Sequence, residues 1–373
     1  MTHYERIHLA MEHKEPDRIP VMCQLSQGYM AINGKEKPFD MYFNPESAAR
    51  AFFTTREELS FDGILLNTSF EEGWEDIYEN TRIEQIPGGE RYLLPDGRVL
   101  EDQNGQLMTV QDPGRTAALA DIEELEPEEV PLRLDYSSGM VLHKLAVAEG
   151  RREAFSVHGE IVSPFDCLCV LLGLENAMMA MITDGEKCEA ILARYVEQCM
   201  AFAKAQIDVG VDTMKISSPF AGGSFISKEF YARFVVPFER EVVKRIHVYA
   251  PGVPVYTHTC GFIGDRLELM AETGIDGIEC MDPPPLGNTE LKDAKERVGD
   301  RLFLKGNMDS VNVLLGASPK RLEEYVGEMI RAGMQGGGYI LSSACSVAPG
   351  VRPEVLKLLV PLAEKYGSYG QGK

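Results

Sequence analysis

Val253-Pro254-Val255-Tyr256-Thr257-His258-Thr259-Cys260-Gly261 runs into Phe262-Ile263-Gly264-Asp265-Arg266-Leu267-Glu268-Leu269-Met270-Ala271-Glu272-Thr273. The first part is a short, β-rich apolar run stopped by a glycine. The second reads as a helix over 264–273. At the end of an extended strand, residues i and i+2 point to the same side. His258 and Cys260 therefore aim at one point, as two ligands of a metal must. A third ligand is offered by Cys345 in Leu341-Ser342-Ser343-Ala344-Cys345-Ser346, which follows another strand-like run. One His with two Cys suits zinc, and three protein ligands leave a fourth position for substrate, the catalytic pattern. The competing reading makes both thiols small buried hydrophobes and the imidazole a hydrogen-bonded core group. Cys167-x-Cys169 is a rival metal pair, but it has no nearby His and lies where a helix should start.

The strand-then-helix rhythm extends in both directions. Strands are expected at 18–24, 64–67, 154–162, 213–217, 253–258, 277–280, 301–306 and 338–342. Helices are expected at 4–14, 45–61, 137–149, 171–208 (one or two), 227–250, 264–273, 289–298, 318–332 and 352–366. Residues 81–110 change character: Gly88-Gly89 and Pro95-Asp96-Gly97 separate alternating β-type residues, which predicts a β-hairpin. Eight strands, each followed by helical sequence, predict an α/β fold of the (β/α)8 TIM-barrel kind with that hairpin inserted after the second strand. The barrel is expected to take the whole chain, 1–373, as a single domain, since no linker, repeat or low-complexity tract divides it. A doubly wound open sheet is the runner-up, and it lacks a Gly-x-Gly-x-x-Gly opening a helix after the first strand.

Chemistry in such a barrel sits where strands end. Those positions are Gln24, Asn67, Glu160, Ser217 with Ser218, His258 with Cys260, Cys280 with Asp282, Asn307 with Asp309, and Cys345. All three proposed metal ligands fall on this one rim, which favours the metal reading. Glu160, Asn307 and Asp309 are the catalytic candidates. Glu160 is read as a displaceable fourth ligand or substrate anchor, against a loop or cap carboxylate. Asn307 and Asp309 are read as orienting substrate, against a structural turn. Gln24, Asn67, Ser217 and Tyr256 are the substrate-binding candidates, with a core aromatic as the alternative for Tyr256. Gly336-Gly337-Gly338 precedes a strand and reads as a turn rather than a phosphate loop.

A net charge of −21 argues against nucleic-acid and anionic-membrane partners, whose phosphates would be repelled. No apolar run approaches the length of a membrane span, and the N-terminal residues lack the apolar core of a signal peptide. Eight cysteines without tight pairing fit a reducing cytoplasm better than a disulfide framework.

Pro16-Asp17-Arg18-Ile19-Pro20-Val21, Gly306-Asn307-Met308-Asp309 and Ser343-Ala344-Cys345-Ser346-Val347-Ala348-Pro349 resemble the uroporphyrinogen decarboxylase superfamily over nearly the whole chain. Within it, His258-x-Cys260 followed by Cys345 resembles the zinc motif of the corrinoid-linked methyltransferases. That branch includes the methylcobalamin:coenzyme M enzymes and the methyltransferases of O-demethylase systems. The decarboxylases carry an arginine-rich segment after the first strand, whereas Gln24-Leu25-Ser26-Gln27-Gly28-Tyr29-Met30 holds no arginine. Asp282-Pro283-Pro284-Pro285-Leu286-Gly287-Asn288 departs from the coenzyme M enzymes and leaves the substrate open.

The resemblance implies methyl transfer between a small molecule and the cobalt of a corrinoid. No Asp-x-His-x-x-Gly segment is present to bind the corrinoid here, so a partner corrinoid protein is expected to carry it. In one direction zinc polarises an oxygen of a methoxylated or methylated donor. In the other it holds a thiol acceptor as its thiolate. Two cysteinates and a neutral His leave the zinc site formally uncharged, which favours the thiol. The alternatives are a decarboxylase-like lyase and a non-catalytic, zinc-containing binding barrel. A homodimer is compatible with each.

Overall fold

The computed structural model describes residues 1–70, 72–103, 106–113 and 120–370. Helix α1 (His3–Met11) opens with a capping box, Thr2 accepting from the Glu5 amide and Glu5 reaching back to the Thr2 amide. Three helices follow, α2 (Gln27–Asn33), α3 (Pro38–Phe43) and α4 (Pro45–Leu59). Pro45 stands at the first turn of α4, where its missing N–H has no intrahelical partner to lose, and Asn44 caps the Glu46 and Ser47 amides. Then come β1 (Gly63–Leu65), α5 (Trp74–Asn80) and the strands β2 (Arg82–Ile86), β3 (Gly89–Leu93), β4 (Val99–Gln103) and β5 (Gln106–Gln111).

From α6 (Val141–Glu153) the strand–helix alternation is regular. It continues with β6 (Ser156–Val162), α7 (Pro164–Leu172), α8 (Leu174–Thr183), α9 (Gly185–Val209), β7 (Thr213–Ser217), α10 (Lys228–Phe234) and α11 (Val236–Tyr249). The remainder is β8 (Val255–Thr259), α12 (Leu267–Ala271), β9 (Gly277–Cys280), α13 (Leu291–Val298), β10 (Phe303–Met308), α14 (Pro319–Gly333), β11 (Tyr339–Ser343), α15 (Pro353–Leu356) and α16 (Leu359–Tyr366).

The parallel strands form one curled seven-stranded sheet in the order β1-β6-β7-β8-β9-β10-β11. Neighbours in the sheet are neighbours in sequence, as helical crossovers of one hand produce. The stretch expected as a first strand, 18–24, forms no ladder and makes only isolated bridges, Arg18 with Ser368 and Val21 with Leu341. The reason is partly local and partly distant. Pro20 has no N–H, and the Val21 amide donates to the Asp62 carboxylate (2.7 Å) instead of a backbone carbonyl. The stretch still lies between the sheet's two edges: Met22 N donates to Leu341 O (3.0 Å) and Asp62 N to Val21 O (2.9 Å).

The expected hairpin at 81–110 is a four-stranded antiparallel meander, β2-β3-β4-β5. An Asn-Gly dipeptide at residues 104 and 105 separates β4 from β5 in sequence. Tyr92 of β3 stacks on Phe39 of α3 with ring centroids 4.2 Å apart, giving this sheet its own small core with Leu94 and Leu100.

Inside the curl, successive layers come from alternate residues of each strand. In the deepest layer Tyr256, Phe303, Ile340, Met22 and Leu65 pack against Ile7, Ala10 and Met11 of α1. Asp62, fully buried beside this layer, accepts from His3 Nδ1 (2.7 Å), Arg6 (2.6 Å) and Arg18 (2.8 Å). Burial alone would push the Asp62 carboxyl up, but His3, Arg18 and Arg6 together bring it down to about 2. Among the described residues no single helix is long and apolar enough to cross a membrane.

Candidate metal centre and active site

One layer above Tyr256 the strands carry charge. Lys215 of β7, Glu279 of β9 and Lys305 of β10 sit in the middle of otherwise apolar strands and are fully buried. Buried charges persist only when paired. Lys305 Nζ contacts Glu279 Oε1, and Lys215 Nζ lies 3.6 Å from Glu279 Oε2, 3.3 Å from Glu160 Oε1 and 2.9 Å from Gln24 Oε1. Burial pushes the Glu279 carboxyl up, but Lys305, Lys215 and His258 overcome it and hold it well below the usual carboxylate range. Burial also opposes charge on Lys215, yet Glu160 and Glu279 raise it above its ordinary value. The layer therefore carries two cations and two anions.

Glu279 Oε2 accepts from His258 Nδ1 at 2.8 Å. That bond places the ring proton on Nδ1 and leaves the Nε2 lone pair free, the arrangement carboxylates impose on metal-binding histidines. The free Nε2 lies 3.3 Å from Cys260 Sγ and 3.9 Å from Cys345 Sγ, and the two sulfurs are 3.7 Å apart. A tetrahedral zinc with Zn–S of about 2.3 Å and Zn–N of about 2.0–2.1 Å sets S···S near ~3.8 Å and N···S near ~3.6 Å. The three donors match that spacing and fit the ion in both chemistry and size.

β8 brings His258 and Cys260 to one face at its end, and Cys345 follows β11 at the same rim. Asp282 fixes the chain directly after Cys260, accepting from the Gly261 amide at 2.7 Å. Gly222 is required here because a Cβ would stand 2.2 Å from the Cys260 carbonyl oxygen.

The other sequence candidates divide. Gln24 joins the site, linking Lys215 to Ser346 Oγ (2.7 Å), next to Cys345. Glu160 keeps Oε1 on Lys215 while buried Oε2 has no partner. Ser217 pairs in register with His258, and its carbonyl accepts from the Ser163 amide. Asn67 holds the Leu25 carbonyl with its amide (3.0 Å) at the edge of the sheet. Tyr256 is fully buried in the apolar layer one repeat below His258, its hydroxyl 3.0 Å from His158 Nδ1. That places it in the core rather than at the mouth. Asn307 donates to the Met281 and Thr289 carbonyls, and Asp309 accepts from the Val311 and Asn312 amides and the Asn312 side chain. Both residues hold turns of their own chain.

Lys215, Glu279 and Lys305 were not among the residues singled out from the sequence. The signal was present: a charged residue in the middle of an apolar parallel strand has to be buried and paired. Cys280 is a rim position in the sequence and not one of the expected ligands; regular strand alternation would send it to the face opposite Glu279.

Three relatives bear on the family. A methylcobamide:CoM methyltransferase (MtbA) of Methanosarcina acetivorans is 24% identical over 230 residues, 61% of this chain and 64% of that one. A uroporphyrinogen decarboxylase of Hydrogenovibrio crunogenus is 31% identical over 182 residues, 47% and 49% of the two chains. The chain thus spans about half to two-thirds of the curated relatives it matches. The solved structure of a methyltransferase from Methanosarcina mazei superposes with a TM-score of 0.74 at 19% identity, covering 98% of this chain and 99% of that one, so the two share a fold. Residues 102–366 match the family described as Uroporphyrinogen decarboxylase (URO-D), and the chain belongs to that family.

Proposed function

We propose that this chain is a zinc-dependent methyltransferase that moves a methyl group between a small substrate and the cobalt of a corrinoid carried by a partner protein. The observation that carries the reading is the triangle of His258 Nε2, Cys260 Sγ and Cys345 Sγ, with sides of 3.3, 3.7 and 3.9 Å, at the strand ends. The methylcobamide:CoM and methylated-thiol–coenzyme M methyltransferases among the relatives support it. So does the absence of arginine from residues 24–30, where a decarboxylase of this family would need cations for its polycarboxylate substrate. We read the fold as one closed (β/α)8 barrel over 1–373, with residues 18–24 as the eighth stave and the antiparallel meander as its insertion.

His258, Cys260 and Cys345 would hold the zinc, which supplies a site that keeps a thiol as its thiolate near neutral pH. Glu279 fixes the ring proton of His258 on Nδ1. Lys215 and Lys305 balance Glu279 and Glu160, so the charged layer needs no counter-ion from solvent. Glu160, whose Oε2 is unpartnered beside Lys215, and Gln24 face the substrate from below the thiols. The corrinoid partner docks at the open end.

The test combines the purified chain, free methylcobalamin in place of the partner-bound corrinoid, and coenzyme M or homocysteine. Thiol-dependent loss of the methylcobalamin absorbance is expected, abolished by a chelator and by Cys260→Ala. Demethylation of a methoxylated compound by reduced cobalamin, with every thiol inert, would reverse the direction. Uroporphyrinogen decarboxylation that survives chelation would replace the reading with lyase chemistry, which the 31% identity to a uroporphyrinogen decarboxylase favours.

A further inference from the structure

Cys280 ends β9, and a regular strand would point it away from the site, because its neighbour Glu279 points inward to His258 and Lys305. Its thiol nevertheless reaches the centre. The ligating atoms of His258, Cys260 and Cys280 all lie within 4.8 Å of one another. The backbone explains how. Cys280 has φ of +85° and Met281 of +56°, two successive non-glycine residues in the left-handed region. Each such residue costs about 1–2 kcal/mol relative to the right-handed conformation. A chain needing only a turn would place glycine there. The left-handed step turns Cβ of Cys280 out of the alternation and toward the rim. Its sulfur stands 3.3 Å from Asp282 Oδ2, the carboxylate that also holds the Gly261 amide beside Cys260. Glu160, the fourth ligand considered from the sequence, has Oε1 on Lys215 instead.

We propose that Cys280 is a fourth protein ligand, making the resting centre one His and three Cys, and that a substrate thiol enters by taking its place. This rests on the metal-centre reading above and supplies the ligand that reading leaves open. In the exchange one metal–sulfur bond breaks and one forms. The incoming thiol's proton passes to the departing Cys280 sulfur, whose S–H donates to Asp282. A closed resting centre admits a thiol only by substitution, which selects for ligands soft enough to compete with cysteinate.

Zinc-edge absorption on protein purified without thiol reductants counts the sulfurs directly. The wild type should show three sulfurs and one nitrogen at rest, and still three sulfurs after 2-mercaptoethanol is added. Cys280→Ala should show two sulfurs at rest and three with 2-mercaptoethanol, and should lose zinc to a competing chelator about 10-fold more readily or worse. Two sulfurs in the resting wild type, rising to three with the thiol, would overturn the proposal even if Cys280→Ala fails to fold. Two sulfurs in Cys280→Ala that stay at two with 2-mercaptoethanol, beside three in the wild type, would refute thiol entry by exchange. A resting shell lacking sulfur altogether would refute the metal centre itself.

Discussion

The ends of β8 and β10 stand on the same rim, two strands apart, and each carries a pair of polar residues two positions apart: His258 with Cys260, and Asn307 with Asp309. In sequence they look alike. In the structure, Asn307 and Asp309 hand their polar atoms to groups of adjoining turns, whereas His258 has one nitrogen anchored on Glu279 and turns the other to two thiols. A rim position is common to both. What separates a site from a scaffold is the donor that remains available after local hydrogen bonds are counted.

The comparison breaks most sharply at the thiols. Cys260→Ala and Cys345→Ala should drop bound zinc from about one per chain to well under half, with His258→Ala losing less because a neutral ligand contributes less charge. Metal analysis after expression with zinc reads this, and full retention in Cys260→Ala would place the two strand ends in the same class. Next in size, Glu279→Gln removes the anion between two buried lysines and should cost about 3–5 kcal/mol of stability. It should also weaken zinc binding about 10–100-fold by freeing the His258 ring. A variant with ordinary melting and ordinary zinc affinity would show that the charged layer has no hold on the rim.

Glu239 sharpens the rule from another side. It is buried on α11 with neither carboxyl oxygen in a well-formed hydrogen bond, and burial, aided by Asp166 and opposed in part by Ser218, raises its pKa to about 8. Because the folded group keeps its proton up to about 8 while the unfolded one ionises near the ordinary carboxyl value of 4.5, wild-type stability should fall as pH rises between those values. Glu239→Gln should flatten the fall, shifting the variant's stability relative to wild type by about 3 kcal/mol between pH 5 and pH 8. Parallel denaturation curves at the two pH values would show the carboxyl titrates normally. The smallest effect belongs to β10: Asp309→Ala should cost about 2 kcal/mol through its lost turn bonds. Its zinc content should match the wild type, and loss of metal there would restore Asp309 to the site.

Much of this was legible in the chain. Strand alternation is enough to pair His258 with Cys260, and the β7 and β9 limits expected at 213–217 and 277–280 are the observed ones. Two kinds of feature were not. The stretch 18–24 has strand composition, but a side chain 41 residues away, Asp62, takes the amide that a ladder would need. Cys280 breaks the alternation on which the reading depends, and no composition rule announces a left-handed φ at a cysteine. Both are long-range or backbone effects, invisible to a window of neighbouring residues.

Helix α1 has a consequence for traffic. Ile7, Ala10 and Met11 press against the lowest layer of side chains, and Arg6 and Arg18 lock that end through Asp62. The interior is thus a well and not a tunnel. Under the proposed methyl transfer, whatever brings the group to the thiols and whatever carries it away would share one doorway. On the reading proposed above, a cofactor-bearing protein and a small molecule would queue there, and the order of arrival and departure would be a property of the architecture.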